Sequence, residues 1–450
     1  MARAEKSHPK SGMTRRRVLQ LGASAAVGAA MGPFVMTPAR AQVFNWQRFR
    51  GKELYLIFTK HPWTETIAAH FPEFEALTGM KLRPEILVDI QARQKATVEL
   101  TAGSGGLDAW LTHTHVEKRR FWKAGWYEPL NRYLEDKSLT APEFDWSDFP
   151  PSIRALVTQP DNTISALPCV LDPTILYYRK DLLEQKGLKP PKTLEELEAV
   201  AQKLHDPPRM YGLVARGLKN ANVAPFSYVM LAYGATYLTP DRKSALNSPA
   251  WVKALDWYAG NVRRFSPPGV VNYNWYECSA AFMQGQVATY FDGIAFAPQF
   301  ENQEKSKVVG KVGYATVPAG PGGLHTSVFN LAMAISAQSR NKEAAWYFVQ
   351  WALSKENCVR ELLGGIVGGR TSIWNHPGVE EKRRMPADWS AAFQDGLRIG
   401  KPALPDIIDV TQCRDIIGLA IQKAIEGQRT EEALAQAHQA FQKMLDDTEK

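Results

Sequence analysis

The sequence predicts an α/β protein, and three observations carry the prediction. Short apolar runs alternate with amphipathic stretches from residue 53 onward, the pattern of strands leading into helices. The 450 residues are 45% hydrophobic, with no low-complexity tract and no internal repeat, which is material for two globular domains. Helix punctuation stands at the expected places, such as Gly79 after one apolar face and Thr193 three residues before Glu196.

The first element is not part of that pattern. "TRRRVLQLGASAAVGAAMGPFVMTPARA" (14–41) sets three arginines against small apolar residues and ends in a small-x-small site. That order is an export signal, and Thr14-Arg15-Arg16-Arg17-Val18-Leu19 adds the twin-arginine pattern, which a receptor reads. Gly, Ser and Pro interrupt the apolar run, so it is a weak membrane span. Cleavage is expected after Ala41. Residues 1–41 hold seven Lys/Arg and one acid, so without them the formal net charge falls from +8 to +2. A balance so close to neutral gives no reason to expect a nucleic-acid partner or an anionic membrane surface. No cysteine follows the leader to carry a lipid, which suits the periplasm.

"ELYLIFT" (53–59) reads as a buried strand, and "HPWTETIAAHFPEFEALTG" as a helix stopped by Gly79. "MKLRPEILV" (80–88) is the next strand, followed by a helix in "QARQKATVELTAGSGG". "LDAWLTH" (107–113) is a third strand and "VEKRRFWKAG" another helix, which indicates a mainly parallel sheet. Such sheets bind ligands beyond the carboxyl ends of their strands. The rule selects "TKHPWT" (59–64) and "THTH" (112–115). Farther on, "ILYYRKDLLEQKG" is strand into helix and "PPKTLEELEAVAQKLH" is a capped helix. "PPGVVNYNWYE" (267–277) is a surface loop entering a helix, and "AAWYFVQWAL" and "TEEALAQAHQAFQKMLDD" are amphipathic helices.

No nucleophile elbow, phosphate-binding loop or dinucleotide fingerprint occurs, so no cofactor is expected. Cys169, Cys278, Cys358 and Cys413 lack CxxC spacing, which argues against a metal or redox site. They are either buried free thiols or up to two disulfides.

From "ISALPCVLDPTILYYRKDLLEQKGLKPPKTLEEL" (164–197) the chain resembles the extracellular solute-binding proteins of ABC importers, family 1, the group of maltose- and polyol-binding proteins. The resemblance continues through "YGLVARG" (211–217), "FMQGQVATYFDG" (282–293), "VGKVGYATVPAGPGG" (309–323) and "NKEAAWYFVQWALS" (341–354). It also takes in "FEALTGMKL" and "TVELTAGSGGLDAW", and so spans nearly the whole chain after the leader. It implies the type II periplasmic binding-protein fold, two α/β lobes joined by a hinge of several crossings near Ala166, Phe291 and Ser336. The lobes would be 42–166 with 291–336, and 167–290 with 337–450. It also implies a monomer without turnover that hands its solute to a permease at the inner membrane.

A polyhydroxylated solute needs flat apolar faces to stack on and charged or amide groups for its hydroxyls. The candidates are Lys60, His61 and Trp63 in the first loop and His113 after the third strand, with His115 as the alternative histidine. Asp172 occupies the place where maltose-type binders put an acidic contact. Arg216, Trp275, Asp292, Asn330 and Arg370 complete the set. Each has a structural alternative: a helix cap for Trp63, a turn for Asp172, a brace for Arg216 and helix packing for Trp275. The leading reading is a sugar or sugar-alcohol receptor. Its competitors are a receptor for a sugar acid or phosphorylated polyol, held by Lys60, Arg216 and Arg370, and a secreted glycosidase using Asp172 and Asp292.

Overall fold

Strand β1 (Glu53–Thr59) is apolar at nearly every position because both of its faces are covered. Leu54, Leu56 and Phe58 enter one core, with Trp63, Phe71, Phe74 and Phe348. Tyr55 and Ile57 enter a second core with Ala92, Ala96, Trp110 and Phe121. This arrangement comes from a computed structural model that describes residues 43–379 and 385–449. The leader, including the paired arginines and the cleavage site, lies outside the described residues.

Eight further strands follow: β2 (Lys81–Leu87), β3 (Ala109–Thr112), β4 (Leu167–Arg179), β5 (Tyr211–Val214), β6 (Val287–Gly293), β7 (Val312–Thr316), β8 (Thr326–Ile335) and β9 (Gly400–Pro402). Their hydrogen-bonded order is β2-β1-β3-β8-β4-β6-β5, with β7 also on β4 and β9 on β8. The first three strands pair in parallel, as do β5 with β6 and β8 with β9. Every partner of β4 is antiparallel, and so is β3 with β8. The sheet is therefore mixed rather than mainly parallel. Local strand–helix alternation reveals the parallel units but not the direction in which distant strands return.

Strand β4 changes partners along its length. Leu167–Pro173 pair with β8, and Thr174–Tyr178 pair with β6. This divides the chain differently from the expected crossings near Ala166, Phe291 and Ser336. Residue 166 precedes β4, and Phe291 sits inside β6, paired with Leu176. The 291–336 block also splits: β7 joins the second half of β4, and β8 joins the first half. The helices Lys342–Ala352 and Lys355–Leu363 were expected in the second lobe. They instead cover the β1 core, with Phe348 at 6.1 Å from Phe58 and 5.4 Å from Phe74. The apolar run of β4 continues unbroken through its hand-over, so nothing in its pattern marks the change.

The helix expected over 61–79 is two helices, Pro62–Ala68 and Phe71–Thr78. Pro72 has no N–H to continue the first, and it suits the opening turn of the second. Gly79 closes that second helix at φ 68°, as its sequence position predicts. Thr193 caps its helix by accepting the Glu196 N–H at 3.2 Å. Glu196 itself reaches the Lys192 N–H rather than that of Thr193. All four cysteines are free and buried.

Asp108, just before β3, ties three segments of the chain together. It is 2% exposed, accepts the Tyr55 N–H at 2.9 Å and the Ser339 hydroxyl, and lies 3.4 Å from the Asn341 amide. Removing it strands two buried donors at about 1–3 kcal/mol each. Asp108→Ala is therefore expected to lower the unfolding free energy by about 2–4 kcal/mol in urea titration. A loss near zero would mean that water satisfies both donors.

Candidate functional site

The carboxyl ends of β1, β2 and β3 open onto one cleft, and β4, β6 and β8 run along its floor. Thr59, Lys60 and His61 reach it from β1, Asp89 from the residues after β2, and His113 and His115 from those after β3. Asp172, Asp292 and Asn330 come from the floor strands. Arg216, Trp275, Phe296 and Arg414 face them from the other side. The cleft volume is about 80 Å³.

The two carboxylates of the floor are held differently. Asp292 accepts four hydrogen bonds: Arg216 Nε at 2.7 Å, Arg216 Nη2, the Tyr290 hydroxyl at 2.8 Å and the Gly293 N–H at 2.8 Å. That fills a carboxylate's acceptor positions. Burial alone would lower the Arg216 guanidinium, but Asp292 outweighs it and holds the group above its ordinary value. Among the described residues, Asp172 accepts only the Ala295 N–H, at 2.9 Å through Oδ1. A Cβ on Gly293 would stand 2.1 Å from Asp172 Oδ2, so only glycine leaves this carboxylate its place. Burial pushes the Asp172 carboxyl up to about 7, against the pull of the Ala295 N–H.

The histidines form a wall with defined proton positions. His61 Nδ1 accepts the Trp63 N–H at 3.1 Å, which leaves the proton of the neutral ring on Nε2. Burial pushes His61 down to about 3, with His113 adding to the effect. His113 Nε2 lies 3.1 Å from Asp89 Oδ1. Burial works to raise Asp89, yet His113, Arg93 and Arg414 outweigh it and hold the carboxyl below the usual range. His115 Nδ1 bonds the Asn330 carbonyl at 2.8 Å, and burial holds this ring well below its ordinary value. Arg414, hydrogen-bonded to the Asn220 carbonyl at 3.0 Å, is pushed down to about 10 by burial and by Arg93. The Thr59 hydroxyl and His113 Nδ1 are buried in this wall without a protein partner.

An aromatic platform completes the cleft. Trp275 opens the helix Trp275–Met283, fixed by the reciprocal Asn274–Glu277 capping box. Its ring stacks on Phe296 at 4.6 Å and 10°. Phe329 meets His115 edge-on at 5.0 Å.

Eight of the ten sequence candidates thus share one cleft: Lys60, His61, His113, Asp172, Arg216, Trp275, Asp292 and Asn330. Trp63 and Arg370 stand outside it. Trp63 is fully buried in the β1 core beside Phe58, because the first turn of its helix faces inward. Arg370 is 1% exposed, bonded to the Leu353 and Asp145 carbonyls and to Asp148, with Phe144 and Phe149 within 5 Å of its guanidinium. The sequence reading missed Asp89, Phe296, Phe329 and Arg414. Asp89 follows the carboxyl end of β2, and the strand-end rule applied there finds it. Phe296 lies four residues beyond Asp292, in the short helical turn Ile294–Phe296 that follows β6. Arg414 sits inside a helix and carries no local signal.

The residues lining this cleft fall within or near the span of a known family. A model of the bacterial extracellular solute-binding proteins matches residues 61–357. The chain belongs to that family. This solute-binding protein is 29% identical over 309 residues to the mannitol-binding protein of Pseudomonas aeruginosa, covering 67% of each chain. It is 25% identical over 342 residues to the erythritol/L-threitol-binding protein of Mycolicibacterium smegmatis, covering 72% of this chain and 71% of that one. A solved ABC transporter solute-binding protein of Agrobacterium radiobacter K84, in complex with ribitol, has a TM-score of 0.80 at 29% identity. The match covers 88% of this chain and 99% of that one. Maltose-bound MalE3 of T. maritima shares the fold at TM-score 0.76 and 21% identity, over 87% of this chain and all of that one. The solute-binding protein has their two-lobed α/β fold. Among the described residues, no helix is long and apolar enough to cross a membrane.

The raised Asp172 makes the protein's stability depend on pH. Native Asp172 keeps its proton up to about pH 7, whereas an unfolded aspartate releases it near pH 4. Between those values the native state binds the extra proton, so this contribution to stability declines as pH rises through the window. Asp172→Asn cannot ionise. Without ligand it is expected to melt above the parent at pH 8 and beside it at pH 4.5. Parallel melting curves at all pH values would show that Asp172 is not desolvated.

Proposed function

We propose that the protein is a receptor of an ABC importer for a neutral polyhydroxylated solute, a sugar alcohol or a monosaccharide. The observation that carries this reading is the balance of the cleft. Lys60, Arg216 and Arg414 face Asp89 and Asp292, with Asp172 pushed up to about 7, so the lining offers both signs of hydrogen-bonding charge with little net attraction for an ion. Asp172 has an oxygen free to accept solute hydroxyls. Asp292 acts through Arg216, whose remaining N–H groups can donate. Thr59 and His113 supply the unpartnered polar atoms, and Trp275 with Phe296 supplies a flat face for C–H surfaces. The small cleft and the mannitol-, erythritol- and ribitol-binding relatives favour a single short polyol over an oligosaccharide.

The competing readings lose support from the same residues. A sugar-acid site built on Arg370 loses support from that residue's burial away from the cleft. An acid/base pair needs two carboxyl groups that exchange protons. Asp292, bound by four donors, is poorly suited to that. We therefore read the protein as a monomeric binder that passes its solute, unaltered, to a permease. Its first lobe comprises 43–172 and 326–379, and its second 174–316 and 385–449.

A thermal-shift panel of polyols, monosaccharides, sugar acids and maltose tests this reading. The expected result is stabilisation by a polyol or monosaccharide and none by the acids. Asp172→Ala is expected to weaken calorimetric affinity by about tenfold to a hundredfold, one or more charged hydrogen bonds at about 1.5–3 kcal/mol. Tight binding of a sugar acid alone would overturn the proposal.

Export is proposed to follow the twin-arginine route into the periplasm, with cleavage after Ala41. Replacing Arg15 and Arg16 by lysine should leave uncleaved precursor in the cytoplasm. Mature protein at normal periplasmic levels in that variant would assign it to the general secretory route.

A further inference from the structure

A second cavity, of about 550 Å³, lies behind the wall formed by His115 and Asn330. It is far larger than the solute cleft and differs from it in chemistry. Val116, Ile153 and Leu156 line it from the side of β1, and Leu404, Ile407 and Val410 from the opposite side. Lys118 and Lys401 also border it, and among the described residues neither ammonium has a carboxylate partner. Lys118 Nζ donates only to the Ala155 carbonyl, at 3.2 Å. Arg119, a third cation at the cavity, is occupied by the Asp406 carbonyl at 3.0 Å and by Glu449 at 2.8 Å. Asp406 is the one carboxylate lining the cavity, and it is exposed.

We propose that this cavity binds a small amphiphile, a medium-chain carboxylate whose tail fills the apolar interior and whose head meets Lys118 and Lys401. The charge pattern selects the class: Lys118, Arg119 and Lys401 outnumber Asp406, which only partly offsets the burial of Lys118, and an apolar chamber so bordered suits an anionic head on an apolar tail. A neutral tail would leave the ammonium groups unused. A second polyol would leave most of its hydroxyls without partners among these walls.

The position gives the site a consequence. Its walls come from both sides of the cleft, and His115 and Asn330 line both chambers. A molecule that fits only between these walls favours the arrangement that also gathers Asp172, Asp292 and Trp275. By linkage it raises solute affinity, and solute raises its affinity by the same factor. Amphiphile binding stands independently of the solute reading; the linkage rests on it.

Octanoate is the probe, and octanol, with the same tail and no charge, is the control. Calorimetry on the full mature chain is expected to show saturable octanoate binding, about tenfold or more tighter than octanol. Lys118→Gln with Lys401→Gln should bring octanoate to the octanol level while leaving the melting temperature and polyol binding unchanged. Ala403→Phe, which fills the chamber, should abolish both, and saturating octanoate should tighten polyol binding several-fold in the parent. Absence of saturable octanoate binding overturns the proposal, as does equal binding of octanoate and octanol in parent and variant. Octanoate binding without any effect on polyol affinity overturns the seat between the two sides. Octanoate binding in a protein that takes no polyol would uphold the cavity and defeat the receptor reading.

Discussion

Strand β4 is the constraint on which the rest of the structure depends. A single extended segment completes two sets of strand pairings, with β8 through Pro173 and with β6 and β7 from Thr174. Both sets of hydrogen bonds must be satisfied, so the strand cannot slide without breaking one of them. The hand-over is fastened from the side as well: Thr174 and Ser327 bond through their hydroxyls at 2.9 Å, and Thr326 donates to the Thr174 carbonyl. Asp172 stands at this joint and has no freedom to withdraw from it. Its raised pKa follows from that position, because the strand that holds it also buries it. The same closeness explains why a glycine occupies position 293.

Two aspartates of one floor thereby take different parts. Asp292 is saturated by donors and holds the Arg216 guanidinium; Asp172 is nearly bare and, on the proposed function, is the group that accepts. An acceptor that is half protonated near pH 7 can also donate, which suits hydroxyl groups, since each is donor and acceptor at once. The histidines extend this logic. Burial keeps His61 and His115 neutral, and with Nδ1 of each engaged by the protein, His61 offers an Nε2 donor and His115 an Nε2 acceptor. On the proposed function, a cleft that mixes donors and acceptors recognises hydroxyl-rich solutes by pattern rather than by charge.

Much of this was legible in the sequence, for a physical reason. Binding at the ends of parallel strands is a rule of local topology, so the loops at 59–64 and 112–115 were found from the strands alone. Residues brought in by distant packing were not. Arg414 reaches the cleft from within a helix, and its sequence neighbours resemble those of any amphipathic surface. Trp63 and Arg370 lie outside this cleft for the opposite reason. Each sits in a loop context that suggests a ligand, but Trp63 follows a helix-opening proline that turns it inward. Arg370 finds Asp148, more than 200 residues away, as its partner. Sequence shows which loops face the cleft; the choice of side chain within each loop is made by burial.

Polar contacts are among those that cross the cleft, and they bear on how binding becomes a signal. Arg93 reaches Thr411 at 3.3 Å, and Arg119 reaches Glu449 at 2.8 Å. Arg93 already has a stronger partner in Glu117, at 2.9 Å. Such contacts exchange readily for water, so they do not hold the two sides together by themselves. A solute that bonds Asp172 and Arg216 while touching His61 and His113 adds what they lack, a set of interactions available only when both sides are near. On the proposed function, closure reports occupancy, because the free energy that favours it arrives with the solute.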